Sequence, residues 1–144
     1  MYCPFCSHEE TKVLESRVVE EAMRRRRECL GCANRFTTYE KAYFNLTVQK
    51  RDGRIQPFDL QKISASIEKA CGKQEDQFIQ NLTKKVEQKV LRKKTNPVKS
   101  VYIGNAILQE LKKSDQIAYL RFASIYKGFE DPHAFKKEIK DLLA

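Results

Sequence analysis

The chain has 144 residues and a net charge of +9, and no apolar run in it approaches the roughly 18 residues of a membrane-spanning helix. The N-terminus lacks the basic segment, apolar stretch and cleavage site of a secretory signal. We therefore expect a soluble, unexported protein, built as a small module followed by a domain of about 95 residues.

Two Cys-x2-Cys pairs stand near the N-terminus, Cys3 with Cys6 and, after 22 intervening residues, Cys29 with Cys32. Each pair presents two thiolates to one ion, and two pairs complete the tetrahedral set that structural zinc prefers. Because about 45 residues cannot bury a stable core unaided, the metal would contribute to folding. Iron in a rubredoxin-like site is the alternative for the same four thiolates.

Short β-strands are predicted between and after the cysteine pairs. Residues 11–19 and 23–28 form a hairpin with a turn at residues 20–22, and residues 36–39 form a third strand. This pattern is typical of a zinc ribbon, which we place at residues 1–45. Successive side chains of a strand alternate between faces. Since both faces of so thin a module are open to solvent, we expect all four arginines of the run Arg24 to Arg27 to be exposed.

The arginine run is the main basic feature of this first module. Residues 1–46 carry eight Lys or Arg and seven Asp or Glu, so the module is nearly neutral overall and its basicity is local. A concentrated strip of this kind contacts phosphates without the whole domain being basic. The predicted DNA-binding residues are Arg17, Arg24, Arg25, Arg26, Arg27 and Arg35.

The second domain, residues 46–144, begins with a β-hairpin. Residues 46–50 form a strand, Asp52-Gly53 is a favourable turn, and residues 55–58 return beside it. Five helices follow, because apolar residues then recur every three or four positions. The predicted helix-starting caps are Asp59, Ser100, Ser114 or Asp115, and Asp131, and Gly128 ends the fourth helix. The predicted inner faces are Ile63, Ile67 and Ala70; Phe78, Leu82, Val86 and Val90; Ile103, Ile107 and Leu111; Ile117, Leu120, Phe122 and Ile125; and Phe135, Ile139 and Leu142. The fold class is therefore α+β.

The second of these helices also carries a dense basic face. Lys84, Lys85, Lys89, Arg92, Lys93 and Lys94 lie opposite its apolar stripe. The simplest interpretation is a solvated face, and a second contact with DNA or with another subunit is the alternative.

The chain has no catalytic constellation. It lacks the Gly-x4-Gly-Lys-Ser/Thr loop that cradles phosphates in many nucleotide hydrolases, and a site closed by four cysteine ligands leaves no position for substrate. We interpret the chain as a binding and sensing protein and not as an enzyme.

Several motifs together resemble one family. They are Cys3-Pro-Phe-Cys6, Arg24-Arg25-Arg26-Arg27-Glu28-Cys29, Arg35-Phe36-Thr37-Thr38-Tyr39-Glu40, and Ala118-Tyr119-Leu120-Arg121-Phe122-Ala123-Ser124-Ile125-Tyr126. In this order, and over essentially the whole chain, they closely resemble the NrdR family of bacterial repressors of ribonucleotide reductase genes. The resemblance implies that residues 1–45 are a zinc ribbon that binds operator DNA upstream of those genes. It implies that residues 46–144 are an ATP-cone that senses ATP and dATP.

The resemblance also implies a nucleotide site and an assembly. Family members use the positions of Lys50, Arg51 and Lys62 on the triphosphate and that of Val48 against the base. The full set implied is Val48, Lys50, Arg51, Gln56, Asp59, Lys62, Ser100, Tyr102 and Tyr126. The family further implies homo-oligomers whose arrangement depends on the nucleotide, in the bacterial cytoplasm and on the nucleoid when bound to DNA, with no membrane partner.

The chain departs from the family at the ribbon hairpin, where many members have glycine and a slightly longer loop. A turn that needs positive φ would resist the residues found here, Glu20 to Ala22. Two other functions remain open at this point. One is a nucleotide-binding regulatory subunit or enzyme whose ribbon docks protein rather than DNA, and the other is a zinc-ribbon subunit of the transcription machinery.

Overall fold

The computed structural model describes all 144 residues, which form two compact units, Met1–Phe44 and Asn45–Ala144. The first unit is a three-stranded antiparallel sheet of β1 (Thr11–Val19), β2 (Ala22–Cys29) and β3 (Arg35–Lys41). Its strand order is β1-β2-β3, so β2 is the central strand. A bulge in β1 between Val13 and Glu15 shifts its register against β2. The arginine run therefore lies on a strand that is flanked on both sides.

The β1–β2 turn is tighter than its sequence favours. Val19 pairs with Ala22, which leaves only Glu20 and Glu21 between the strands. Glu20 adopts φ +54°, a left-handed conformation that costs a residue with a Cβ about 1–2 kcal/mol. The strain expected at this turn is present, and it falls on one residue.

The second unit contains a small mixed sheet. Its strands are β4 (Thr47–Gln49), β5 (Ile55–Pro57) and β6 (Val98–Lys99), in the order β5-β4-β6. The β4–β5 hairpin was predicted, and Gly53 supplies its positive φ of +88°. Strand β6 was not predicted, because two residues carry no periodic signal. It runs parallel to β4, beside Asn96, whose side-chain oxygen accepts hydrogen bonds from the Thr47 N–H and hydroxyl at 3.0 and 2.7 Å.

Five helices complete this unit: α1 (Leu60–Cys71), α2 (Asp76–Arg92), α3 (Ser100–Ser114), α4 (Gln116–Tyr126) and α5 (Pro132–Leu143). The side chains of Asp59, Asp115 and Asp131 accept hydrogen bonds from the first turns of α1, α4 and α5, as predicted. The predicted cap at Ser100 is wrong. Ser100 is already the first helical residue of α3, and Lys99 precedes it with no side-chain cap. The predicted α+β class is confirmed.

The core of this unit lies between α1, α2, α3, α4 and the sheet. Leu120 and Phe122 pack against the core, as predicted for the inner face of α4. The prediction is wrong for Ile117 and Ile125, which are 60% and 86% exposed. Ala118, Tyr119 and Ala123 are buried instead. Helix α4 packs against both α1 and α3, and alanines allow this close approach, whereas the larger isoleucines remain outside. None of the five helices combines the length and the apolar composition that a membrane span requires.

Candidate functional site

The four paired cysteines meet at one end of the first unit. Their sulfur atoms all lie within 4.8 Å of one another. The Cys3–Cys32 and Cys6–Cys29 sulfur separations are 3.7 and 3.6 Å. Four thiolates bound to zinc at about 2.3 Å would stand about 3.8 Å apart in a regular tetrahedron. The cluster therefore has the size and the donor set of a structural zinc site.

The two cysteine turns are built alike. The residue after each pair, Ser7 or Ala33, has a φ of 60°, and each turn directs backbone N–H groups at sulfur. The Phe5 N–H lies 3.4 Å from the Cys3 sulfur, and the Gly31 N–H lies 3.3 Å from that of Cys29. Such donors stabilise thiolate charge and orient the ligands. The site is thus prepared by its backbone as well as by its sulfur atoms.

The arginine run divides into two faces of β2. Cross-strand register places Arg25 opposite Ser16 and Thr38, and Arg27 opposite Phe36. These two arginines are bound within the sheet. The Arg25 guanidinium pairs with the Glu40 carboxylate at 2.8 Å.

Arg27 is held by two threonine hydroxyls. Its guanidinium donates to Thr38 at 3.0 Å and to Thr11 at 3.3 Å, so it joins all three strands. Both arginines of this face therefore fix the sheet itself.

The opposite face carries Arg24 and Arg26, whose side chains form no hydrogen bond or ion pair. Arg24 lies across from Arg17 and Tyr39, and Arg26 lies across from Glu15 and Thr37. Tyr39 is 64% exposed. We call this surface the Arg24 face, defined by Arg17, Arg24, Arg26, Thr37 and Tyr39.

The expectation that all four arginines are exposed is wrong for three of them. Arg26 is exposed, whereas Arg24, Arg25 and Arg27 are half-buried. A central strand has neighbours on both sides, and these neighbours cover the aliphatic stems of its side chains.

Two further predicted DNA contacts are partly neutralised. Arg17 pairs with the Glu15 carboxylate, and Arg35 pairs with Glu28 at 2.9 Å. The hydrogen bonds from Lys12 and then from Arg35 hold the pKa of Glu28 below its usual value. Arg24 and Arg26 are therefore the arginines of this unit whose side chains form neither an ion pair nor a hydrogen bond.

The second unit contains a cavity of 190 Å³ between the β4–β5 hairpin and the starts of α1 and α3. Its inner wall is apolar and aromatic, formed by Ile103, Ile107, Phe58 and Phe122. Lys50 and Lys62 line it as well, and neither forms an ion pair. A planar apolar group with an anionic end matches this lining.

A wide basic groove adjoins the cavity. It is lined by Lys50, Arg51, Asp52, Arg54, Gln56, Ser100, Ile125 and Tyr126, four of which also line the cavity. Asp52 pairs with Arg54 at 2.7 Å, which leaves Lys50 and Arg51 without a carboxylate partner. The first turn of α3 also lies here, and its backbone N–H groups have no side-chain cap. Helix N-termini and unpaired cations both favour bound anions.

Tyr126 forms the wall between the cavity and the groove. Its hydroxyl donates to the Val101 carbonyl oxygen at 3.1 Å, and the Arg51 guanidinium lies 5.1 Å from the centre of its ring. The ring lies so close to α3 that a Cβ at Gly104 would come within 2.3 Å of it. Gly104 is therefore required for this wall.

The structure brings together most of the predicted nucleotide residues. Val48, Lys50, Gln56, Asp59, Lys62, Ser100 and Tyr126 line the cavity, and Arg51 lines the groove. Tyr102 does not belong to this site, because its hydroxyl lies 3.4 Å from the Lys89 carbonyl oxygen of α2 and its ring packs against Lys93. Sequence reasoning missed Gly104, Ser66 and the apolar wall. Gly104 was the available signal, as a glycine within an otherwise apolar helical stripe.

Comparison with known proteins identifies both units. Residues 1–40 match the family described as "Transcriptional repressor NrdR-like, N-terminal domain", and residues 46–132 match the ATP cone domain. The chain is 44% identical to the transcriptional repressor NrdR of Corynebacterium glutamicum strain R, over 97% of this chain and 95% of that protein. It is 42% identical to the NrdR proteins of Clostridium perfringens, over 99% of both chains, and of Finegoldia magna, over 99% and 98%.

Proposed function

The chain belongs to the NrdR family of transcriptional repressors, and we propose that it represses ribonucleotide reductase genes by binding operator DNA upstream of them, under the control of ATP and dATP. The family consists of repressors, which confirms the prediction that the chain is not an enzyme. The four-cysteine cluster and the match of residues 1–40 to the family's N-terminal domain support a structural zinc at this site.

The observation that carries the DNA assignment is the Arg24 face. Arg24 and Arg26 are two residues apart on one face of β2 and have no partner within the unit. Arg17, which Glu15 neutralises only in part, lies directly across from Arg24, and like charges at such a position destabilise a sheet. A polyanion removes that repulsion. Guanidinium groups bind phosphate and guanine edges through paired hydrogen bonds, so this face suits the grooves and backbone of duplex DNA.

Arg25 and Arg27 have a different role in this proposal. They are positioning residues, since their bonds to Glu40, Thr38 and Thr11 hold β1, β2 and β3 together. Arg35 contributes mainly to the structure of the ribbon, through its ion pair with Glu28. Arg17 remains a secondary phosphate contact.

The nucleotide is proposed to occupy the cavity and the groove together. The base and sugar lie against Val48 and the aromatic wall, and the triphosphate extends into the groove toward Lys50, Arg51 and Lys62. Three cations without carboxylate partners balance much of the triphosphate charge through charge-assisted hydrogen bonds. Gln56, Asp59, Ser100 and Tyr126 supply the polar rim.

The nucleotide acts on DNA binding through assembly. A homo-oligomer that brings two ribbons to two operator sites gains affinity by effective concentration, with no new contact. ATP or dATP needs only to favour one assembly over another. The protein then works in the bacterial cytoplasm, on the nucleoid when it is bound to DNA.

One experiment tests this proposal as a whole. We would measure how the zinc-loaded full chain binds DNA from upstream of reductase genes, without nucleotide, with ATP and with dATP. A shuffled duplex of equal length is the control in each condition. We expect preference for the upstream duplex and an affinity that differs between the two nucleotides. Equal binding to both duplexes in all three conditions would contradict the proposal.

Protein docking by the ribbon is the second candidate function. Tyr2, Phe5 and Leu30 are exposed on or beside the cysteine turns, and exposed apolar side chains favour a protein partner. This function predicts nucleotide binding without any affinity for duplex DNA, so the same experiment separates the two.

A further inference from the structure

The end of α2 and the segment after it hold most of the net charge of the chain. Residues 84–99 contain seven Lys or Arg and a single acidic residue, Glu87, so they contribute +6 of the total +9. None of these residues lines the nucleotide cavity or its basic groove. The functions proposed above leave this charge unexplained.

The charge is concentrated on the solvent side of α2. Val86 and Val90 are buried, and Lys84, Lys85 and Arg92 are exposed. Lys85 and Arg92 are seven residues apart, which places them on one side of the helix with about 10 Å between them along its axis. Lys94 follows the helix end with a φ of 55° and is also exposed. We call Lys84, Lys85, Arg92 and Lys94 the α2 basic surface.

Two neighbouring lysines already have internal roles. Lys89 pairs with the buried Glu110 carboxylate at 2.5 Å, and Lys93 lies 4.7 Å from the centre of the Tyr102 ring. The side chains of Lys85, Arg92 and Lys94 make no hydrogen bond or ion pair. Three exposed cations elsewhere, Lys12, Arg35 and Lys127, are paired with glutamates, whereas Arg26, Arg51 and Lys62 are not.

The helix dipole explains only part of this surface. Cations in the last turn of a helix are stabilised by the dipole, which accounts for Arg92 and Lys94. The effect falls off within one turn, and Lys85 lies two turns from the end of α2. Mutual repulsion among Lys85, Arg92 and Lys94 therefore remains without an internal compensation.

We propose that the α2 basic surface binds the phosphates of duplex DNA, as a sequence-independent contact of the second unit that accompanies the ribbon. This inference rests on the proposed function. B-DNA carries one phosphate per about 3.4 Å of each strand, so a row of about 10 Å faces roughly three phosphates. Once the ribbon is bound, the tethered second unit is held near the same duplex, and contacts that are weak alone contribute to affinity.

The test uses the full zinc-loaded chain and two matched triple variants. The first is Lys85→Gln with Arg92→Gln and Lys94→Gln. The control is Lys136→Gln with Lys137→Gln and Lys140→Gln, which removes the same charge from exposed positions of α5. Affinities for an upstream duplex and for a shuffled duplex are measured over a series of salt concentrations.

We expect the α2 variant to bind both duplexes more weakly by a similar factor, about tenfold at low salt, because phosphate contacts carry no sequence information. The slope of log K against log salt should become shallower by about 1–3, at about 0.9 for each lost phosphate contact. The α5 control should change the slope little. Nucleotide affinity should stay unchanged in both variants, which would show that the second unit is folded. Lys85→Gln alone should lower the affinity for both duplexes and make the salt slope shallower, as the triple variant does.

Equal slopes and affinities for the α2 and α5 variants would overturn this inference while leaving the proposed function intact. If the unmodified chain binds neither duplex, the proposed function fails first, and the two failures are thereby distinguished. A loss of affinity for the upstream duplex alone would also overturn the inference, because it would indicate base recognition.

Discussion

In the ribbon, the only buried side chains are those of Cys3 and Cys29, whereas the ATP-cone buries a continuous cluster of eighteen apolar residues. The ribbon is thus a sheet without an apolar core, and its cohesion comes from the metal ligands and from side-chain bonds across β2. The cone obtains its cohesion from hydrophobic burial between helices. Because the ribbon has no core to fill, its apolar side chains are exposed and can contact a partner.

Metal removal should give the largest difference in behaviour between the two units. Zinc in modules of this size contributes about 10–16 kcal/mol of folding free energy, so a chelator should unfold the ribbon and leave the cone folded. The amide resonances of residues 1–44 should collapse to random-coil positions, while those of residues 45–144 and the affinity for ATP remain. Loss of the cone resonances on chelation would show that the units do not fold independently.

Gly104→Ala should damage the cone in a different way. The new Cβ would come within 2.3 Å of the Tyr126 ring, and overpacking of this kind costs about 1–3 kcal/mol. We expect the ring to move and ATP affinity, measured by calorimetry, to fall by roughly tenfold, with zinc retained. The control is Asn105→Ala on the exposed side of the same helix, and equal ATP affinities for the two variants would contradict the role given to Tyr126.

Glu20→Gly tests strain in the ribbon, where no core compensates for it. Glycine adopts the φ of +54° found at this turn without a Cβ penalty, so the ribbon should gain about 1 kcal/mol. Glu21→Gly is the comparison, because it loosens the chain without relieving positive φ and also removes a side chain that makes a contact of its own. The two variants should shift the chelator concentration for half-unfolding in opposite directions, and equal shifts would contradict strain at Glu20.

A pH-dependent contact anchors α5, the helix of the cone with no buried residue. Glu138 accepts hydrogen bonds from Tyr119 and, at 2.7 Å, from Lys127. Burial raises the pKa of Glu138, but these bonds outweigh it and place the pKa below the usual 4.5. The contact therefore stabilises the cone above pH 4.5 and is lost as the pH falls through the lowered value.

Glu138→Gln should consequently cost about 1 kcal/mol or less at pH 7, and almost nothing in acid. Urea unfolding of the unmodified chain, Glu138→Gln and the exposed control Glu130→Gln measures this. A difference between the unmodified chain and Glu138→Gln that grows toward low pH would refute the assignment.

Periodic and local signals predicted much of this fold. The metal ligands, the β4–β5 hairpin and the caps at Asp59, Asp115 and Asp131 each depend on a few neighbouring residues, and the structure contains them. Strand β6 and the buried face of α4 depend on what packs against them. Sequence periodicity ranked the isoleucines of α4 above its alanines, but close approach to α1 and α3 selected the alanines.

The site shows the same limit. The sequence indicated an arginine strip, and strand alternation divided it into two pairs. It did not indicate which pair would be bound internally, because Glu40 and Thr38 reach Arg25 and Arg27 only through the register of β3. Tyr102 and Tyr126 were equally available as ligand contacts from the sequence, and only packing on Gly104 and Arg51 places Tyr126 at the cavity.

The central claim is that one face of β2 contacts DNA while the other holds the ribbon together. The direct measurement is operator affinity and zinc retention for Arg24→Gln with Arg26→Gln, beside Arg25→Gln with Arg27→Gln. The first pair should lose about 2–6 kcal/mol of binding free energy, at about 1–3 kcal/mol for each contact, and keep its zinc. The second should release zinc at lower chelator concentration and bind DNA normally when zinc-saturated. Full operator affinity in the first pair, with binding abolished in a zinc-saturated second pair, would contradict the claim.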